Sequence, residues 1–308
     1  MEFAVVLHQV IVMFLLMAVG FWAHKWHLIH DTGARDMTQI LLYIVSPCVI
    51  LEAFQQKFSA ARLHDLLIAF IFIIFVFLMA ILSAHFLFSN RFIASVTNRK
   101  TLKFAATYSN SGFMGIPLVS AILGPSGVFY ATPYLAAFNI FCWTHGISLY
   151  RKNQDLKTQV KNIFNPNIVA ILVGLIFFIC SFRLPALLNT FVGDISSLNT
   201  PLSMIVIGDS IAAMPLLSLF SSRLIWPGVL MRNLIIPLET LVLFHFSGLG
   251  QVSALSAVLL SSCPIAGVIV LFALLNDSST ELPTQLMTVS TLLSIITIPL
   301  IASLALMW

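Results

Sequence analysis

Charge is what this sequence has least of: 8% of its 308 residues are Asp, Glu, Lys or Arg. A soluble domain uses about 25% to cover its surface, so a water-exposed globular fold is excluded. The formal charge is +4, yet the basic residues punctuate apolar runs instead of gathering on one face, which excludes a nucleic-acid partner. Cysteine is scarce too. Cys48, Cys142, Cys180 and Cys263 form no Cys-x-x-Cys pair and have no His at zinc-site spacing, so neither a disulfide framework nor a metal site is expected. The Gly-x-Ser-x-Gly, His-Glu-x-x-His and Walker sequences are all absent, which argues against an enzyme and against an ATP-driven pump. The Gly208-Asp209 dipeptide is similar to that of intramembrane aspartyl proteases, but their chemistry needs two carboxylates sharing a proton, and no second mid-membrane Asp is present.

What the sequence has is apolar length. Hydrophobic residues make up 59% of it, including 26 Phe, and the mean hydropathy is +1.02. A helix crosses a bilayer with about 20 mostly apolar residues. That ruler gives ten spans, at 4–23, 37–55, 64–88, 101–123, 126–149, 166–182, 198–220, 223–247, 252–275 and 283–307. The first begins with Glu2 and no basic residue, unlike a secretory signal. Gly124-Pro125-Ser126-Gly127 and Ser247-Gly248-Leu249-Gly250-Gln251 read as turns between spans.

Short cytoplasmic loops accumulate Lys and Arg. With the N-terminus outside, eleven basic residues fall in inner loops, against Lys57, Arg62 and Arg183 in outer ones, with Arg232 left inside a span. A multi-pass protein of the cytoplasmic membrane with both termini outside is therefore expected. The largest polar interruption, Arg151 to Asn165, sits near the chain midpoint as a cytoplasmic linker with five spans on each side. Two similar halves of five helices, 1–150 and 166–308, must enter the membrane in opposite directions, the inverted-repeat plan of many secondary transporters. Coincidental equality in a channel or membrane enzyme is the alternative that counting leaves open.

Two spans are interrupted. The fourth reads Thr107-Tyr108-Ser109-Asn110-Ser111-Gly112-Phe113-Met114-Gly115-Ile116-Pro117-Leu118, and the ninth reads Ser261-Ser262-Cys263-Pro264-Ile265-Ala266-Gly267. Proline frees a carbonyl one turn back and glycine lets the backbone leave helical angles, so the freed groups must meet protein, ligand or water. A matched pair of broken helices is a pointer to a transport site, because half-helix N-termini offer N–H groups and partial positive charge to anions.

Asn110-Ser111-Gly112-Phe113-Met114-Gly115-Ile116-Pro117-Leu118 resembles the Asn-x-Gly-x-x-Gly-x-Pro-Leu signature of the auxin efflux carrier family, which includes plant auxin carriers and bacterial malonate or malate permeases. Asn165-Pro166-Asn167, Arg232 five residues before Pro237, Pro264, and the run from Ser290 to Leu300 resemble further landmarks of that family in the same order. The resemblance implies an all-α membrane protein of ten helices with broken, crossing helices four and nine. It also implies a scaffold part (spans 1, 2, 6 and 7) and a mobile transport part (spans 3–5 and 8–10). The implied activity is elevator-like transport of a small organic anion such as malate or malonate, driven by an ion gradient whose ion, proton or sodium, is not readable. The partners are that anion and the lipid bilayer, with a homodimer through the scaffold part left open. The short central linker matches the compact bacterial form. A sodium-coupled bile-acid-type or sodium–proton transporter of related architecture is the nearest rival, and an anion channel is the rival of a different class.

The substrate-binding candidates are Asn110, Ser111, Gly112, Pro117, Asn139, Ser262 and Pro264. Asn110 is expected to bind the carboxylate with two amide donors and no fixed charge, Ser111 assisting and the Pro264 break closing the site. Asn110 merely capping the broken helix is the alternative. Asn139 ranks above the hydroxyls of Thr144, Ser290, Thr291 and Ser294, which can bond back to their own helices. Ionisable groups inside the membrane are expensive, which singles out Asp209, Arg232 and Glu239. Asp209 and Arg232 fall at similar depth by the span ruler and are expected to pair, as a structural ion pair or a relay; Glu239 is expected in a solvated vestibule.

Overall fold

The computed structural model describes residues 3–150, 162–213, 221–274, 276 and 278–307. All extended regular structure among them is helical. In chain order the helices are α1 (Phe3–Lys25), α2 (Asp31–Ile40), α3 (Ser46–Ala53), α4 (Ala60–Leu87), α5 (Val96–Thr107), α6 (Ile116–Phe141) and α7 (Pro166–Ile179). They continue as α8 (Ala186–Ser197), α9 (Asn199–Ala212), α10 (Ile225–Leu230), α11 (Ile236–His245), α12 (Gln251–Ser262), α13 (Val268–Leu274) and α14 (Glu281–Met307).

Seven helical stretches among the described residues are long and apolar enough to cross a membrane: 4–25, 32–53, 60–87, 111–146, 186–212, 225–245 and 281–307. The ten expected spans do not appear as ten long helices, for local reasons. The fourth and ninth are broken, so α5 and α12 stop after twelve residues each. α7 is only fourteen residues long. The fourth and fifth merge into one stretch that turns at Gly124, whose φ of 63° is the left-handed region that glycine adopts without steric cost. The seventh begins at Ala186, well before the expected 198, and the expected end at 220 lies outside the described residues, as does most of the linker from Arg151 to Asn165.

Three prolines share one local solution. Pro47, Pro117 and Pro237 each occupy the second position of a helix that follows a five-residue π-helical turn: Leu41–Val45, Ser111–Gly115 and Met231–Ile235. A proline lacks the N–H of the regular ladder, and a wider turn just before it accommodates that loss without ending the span. α7 starts differently: the Asn165 side chain accepts from the N–H groups of Asn167 at 3.1 Å and Ile168 at 3.2 Å, with Pro166 at the first helical position.

α4 shows how the faces divide. Leu67, Ile71, Phe75, Leu78 and Leu82 are exposed along one stripe, while Ala69, Ile73, Phe77, Ala80 and Ala84 are buried on the other. Large apolar residues outside and a face that includes three alanines inside are the arrangement of a helix between lipid and protein. α1 packs closely along α9. A Cβ added at Gly20 would lie 2.1 Å from the Ile205 carbonyl oxygen, and one at Gly208 would lie 1.9 Å from that of Met17. Only glycine permits this backbone-to-backbone approach.

Candidate functional site

The two interrupted helices meet. α5 ends at Thr107, the backbone runs extended through Tyr108 and Ser109, and Ser109 pairs with Ile265 in an isolated antiparallel bridge. The Asn110 N–H donates to the Pro264 carbonyl at 2.6 Å, and the Ala266 N–H donates to the Tyr108 carbonyl at 3.0 Å. Backbone groups that the breaks remove from one helix are thereby satisfied by the other, as an apolar surrounding demands. The Ile265 N–H donates to Ser290 Oγ at 3.0 Å, and Ser290 Oγ donates to Asn233 Oδ1 at 2.6 Å. Asn233 returns an amide hydrogen to the Ser290 carbonyl at 2.9 Å, which ties α14 and the turn after α10 to the same point.

Arg232 holds this junction. Its side chain is fully buried, and one guanidinium nitrogen donates to the carbonyls of Ala106 at 3.0 Å and Thr107 at 3.1 Å. The other terminal nitrogen donates to the Ser261 carbonyl. These acceptors lie in the last turns of α5 and α12, so one cation serves the C-terminal ends of two half-helices, where unsatisfied carbonyls and negative partial charge collect. Tyr134 bonds Ser109 Oγ at 3.2 Å and interacts with the same guanidinium.

Asn110 stands at the start of the helical stretch that resumes after the break. Its backbone carbonyl accepts from Met114 at 3.2 Å and Gly115 at 3.0 Å, but its side chain makes no capping bond. Its amide has no hydrogen-bond partner among the described residues and is partly exposed. Ser111 is fully buried with an unpartnered Oγ. Space is open beside Gly112, where an added Cβ would meet nothing within 4 Å. Gly115 is the opposite case: its Cβ would lie 2.5 Å from Leu260 Cδ2 across the junction. Pro117 is buried within the following helix and Pro264 supplies the carbonyl that receives the Asn110 N–H. Ser262 lies inside the junction, with its hydroxyl bonded back to the Val258 carbonyl at 2.7 Å.

Two expectations need correction, and a third candidate, Asn139, is held by protein partners. Asp209 and Arg232 make no ion pair. Asp209 Oδ1 instead meets His24 Nδ1 at 2.8 Å, and Lys25 donates to the Ala212 carbonyl at 3.1 Å, so Asp209 lies level with the last turn of α1 and Arg232 with the breaks. The span ruler misjudged their depth because it set Asp209 well inside a span ending at 220, whereas α9 ends at Ala212, one turn after Asp209. Asn139 is buried with its side chain engaged by protein: it donates to the Leu135 carbonyl at 2.8 Å and accepts from the Asn165 side chain, linking α6 to the cap of α7. Glu239 is not in a polar vestibule. One oxygen accepts from Ser83 Oγ at 3.0 Å, and the carboxyl borders a cavity of about 500 Å³ otherwise lined by apolar residues including Phe72, Met79, Leu238 and Val242.

The anchoring roles of Tyr108, Tyr134 and Asn233 escaped the sequence reading. The adjacent polar pair Arg232-Asn233 inside an apolar span was the available signal for the last. Among the described residues, no three His, Cys, Asp or Glu side chains gather to hold a metal.

The chain is 27% identical over 202 residues to an uncharacterized transporter of Methanothermobacter thermautotrophicus, a match spanning 65% of this chain and 66% of that relative. The sequence model of the membrane transport proteins matches residues 5–159 and 151–302. That is a family of transporters, not of enzymes, and its members are multi-pass proteins of the membrane. With nearly the whole length matched, the chain belongs to the membrane transport protein family, the auxin efflux carriers and their relatives.

Proposed function

We propose that this transporter is a secondary carrier of small organic anions, carboxylates such as malate or malonate among them, binding them at the junction of the two breaks. The observation that carries the reading is the pair of idle donors there: the Asn110 amide and the Ser111 hydroxyl have no partner among the described residues, beside open space at Gly112. They stand at the N-terminal start of a long helical stretch, where backbone N–H groups and the dipole favour an anion. An amide and a hydroxyl hold a carboxylate without a permanent ion pair, so release stays easy.

In this reading the chain crosses the cytoplasmic membrane ten times, as two inverted repeats of five helices on either side of the central linker, with both termini outside. The junction belongs to a transport part built from spans 3–5 and 8–10. It moves against a scaffold of spans 1, 2, 6 and 7, whose tight α1–α9 contact suits a rigid frame. An ion gradient, of protons or sodium, supplies the energy. A homodimer would form through the scaffold.

The test is Asn110→Asp beside Asn110→Ala in purified protein, with thermal stability read against a panel of carboxylates. A ligand that binds only the folded state raises apparent stability. Because the Asn110 side chain caps nothing, both variants should fold as the parent does and lose the ligand shift, Asp more completely through repulsion. A ligand shift unchanged in the Asp variant would sink the assignment.

A further inference from the structure

The charge available at the junction says what form of acid it can carry. Arg232 is the one Lys or Arg among the buried residues described, and both terminal nitrogens of its guanidinium are already engaged. It bonds carbonyls at the C-terminal ends of α5 and α12, each of which carries about half an elementary negative charge. Two such ends offset one guanidinium, and Tyr134 interacts with the same side chain. Lys103, one turn before the first break, turns its ammonium toward His85 at 3.2 Å.

What remains for a ligand is the N-terminal start of the stretch through Ser111–Gly115 and α6, worth about half a positive charge, and neutral donors. The buried, unpartnered Ser111 Oγ and the unengaged Asn110 amide both point to a ligand at this start. These groups suit one carboxylate. A second carboxylate would enter a membrane-spanning region where, among the described residues, no further Lys or Arg is buried to meet it, which is costly.

Resting on the carboxylate reading above, we infer that the junction takes its substrate as a singly charged anion, so that a dicarboxylic acid binds in its half-protonated form. The second carboxyl then enters as a neutral O–H that can itself donate.

The experiment compares malonate with monomethyl malonate, which keeps the skeleton but has one charge fixed, on the full-length protein in proteoliposomes across a pH series. The ratio of the malonate to the ester dissociation constant is the readout, since titration of the protein itself cancels in it. Above the second ionisation of malonate the half-protonated fraction falls, and the ratio should rise about tenfold per pH unit. A ratio that stays level or falls with pH, or rejection of the ester while malonate binds, overturns the singly charged form. Binding of neither compound at any pH overturns the carboxylate reading as well, which separates the two failures. Gly112→Lys, placed where space is open, supplies the missing cation and should flatten the pH dependence of the ratio.

Discussion

The backbone N–H of Asn110 donates to the carbonyl of Pro264 at 2.6 Å, joining two helix breaks from opposite halves of the chain. Each break exposes what the other lacks: Pro264 has a carbonyl without a helical partner, and Asn110 has an N–H at the start of a new helical stretch. The antiparallel bridge between Ser109 and Ile265 aligns them. The junction is thus built from backbone, and side chains such as Arg232 and Ser290 serve it.

Removing the guanidinium should be among the most damaging single changes. Arg232→Met leaves the carbonyls of Ala106, Thr107 and Ser261 buried without their donor, and a buried acceptor left unsatisfied costs about 1–3 kcal/mol. Arg232→Lys keeps the charge but cannot reach three acceptors at once, so it should fall between Met and the parent. Thermal unfolding of the three proteins in detergent gives the ranking; a Met variant as stable as the parent contradicts the clamp.

The His24–Asp209 contact at 2.8 Å should appear as coupling in a double-mutant cycle of His24→Gln and Asp209→Asn. Neighbours in one hydrogen bond couple by about 0.5–3 kcal/mol, and the partial exposure of His24 sets the expectation at the lower end. Asp209→Asn with Arg232→Lys should add to within about 0.5 kcal/mol, as sites without shared partners do. Coupling in the second cycle and none in the first would reverse the assignment.

Gly20→Ala and Gly208→Ala should each destabilise the α1–α9 contact, because the new methyl meets backbone that cannot turn aside. Overpacking of this kind costs about 1–3 kcal/mol. Gly112→Ala, with open space around it, is the matched control and should leave the melting temperature near that of the parent.

Orientation is open to thiol labelling in a background without Cys180, which is exposed. A cysteine replacing Asn153 should resist an impermeant reagent in intact cells, and one appended after Trp308 should react. The opposite pattern means that the excess of basic residues in the assumed inner loops does not set the topology.

The sequence by itself determined the membrane class, the family and the location of both breaks, because these rest on local properties. Charge scarcity is compositional, and the runs of small, polar and helix-breaking residues at 107–118 and 261–267 mark both breaks locally. Tertiary structure alone decided the partners. Arg232 in an apolar span called for compensation, and Asp209 in the neighbouring span, at similar expected depth, was the answer the span ruler offered. Folding brought three carbonyls from two distant helix ends instead, and backbone carbonyls carry no signature in sequence. Likewise Asn139 is polar in an apolar run whether it faces substrate or links to Asn165. Whether a donor is engaged or idle, as at Asn110 and Ser111, depends on what packing leaves within hydrogen-bond reach.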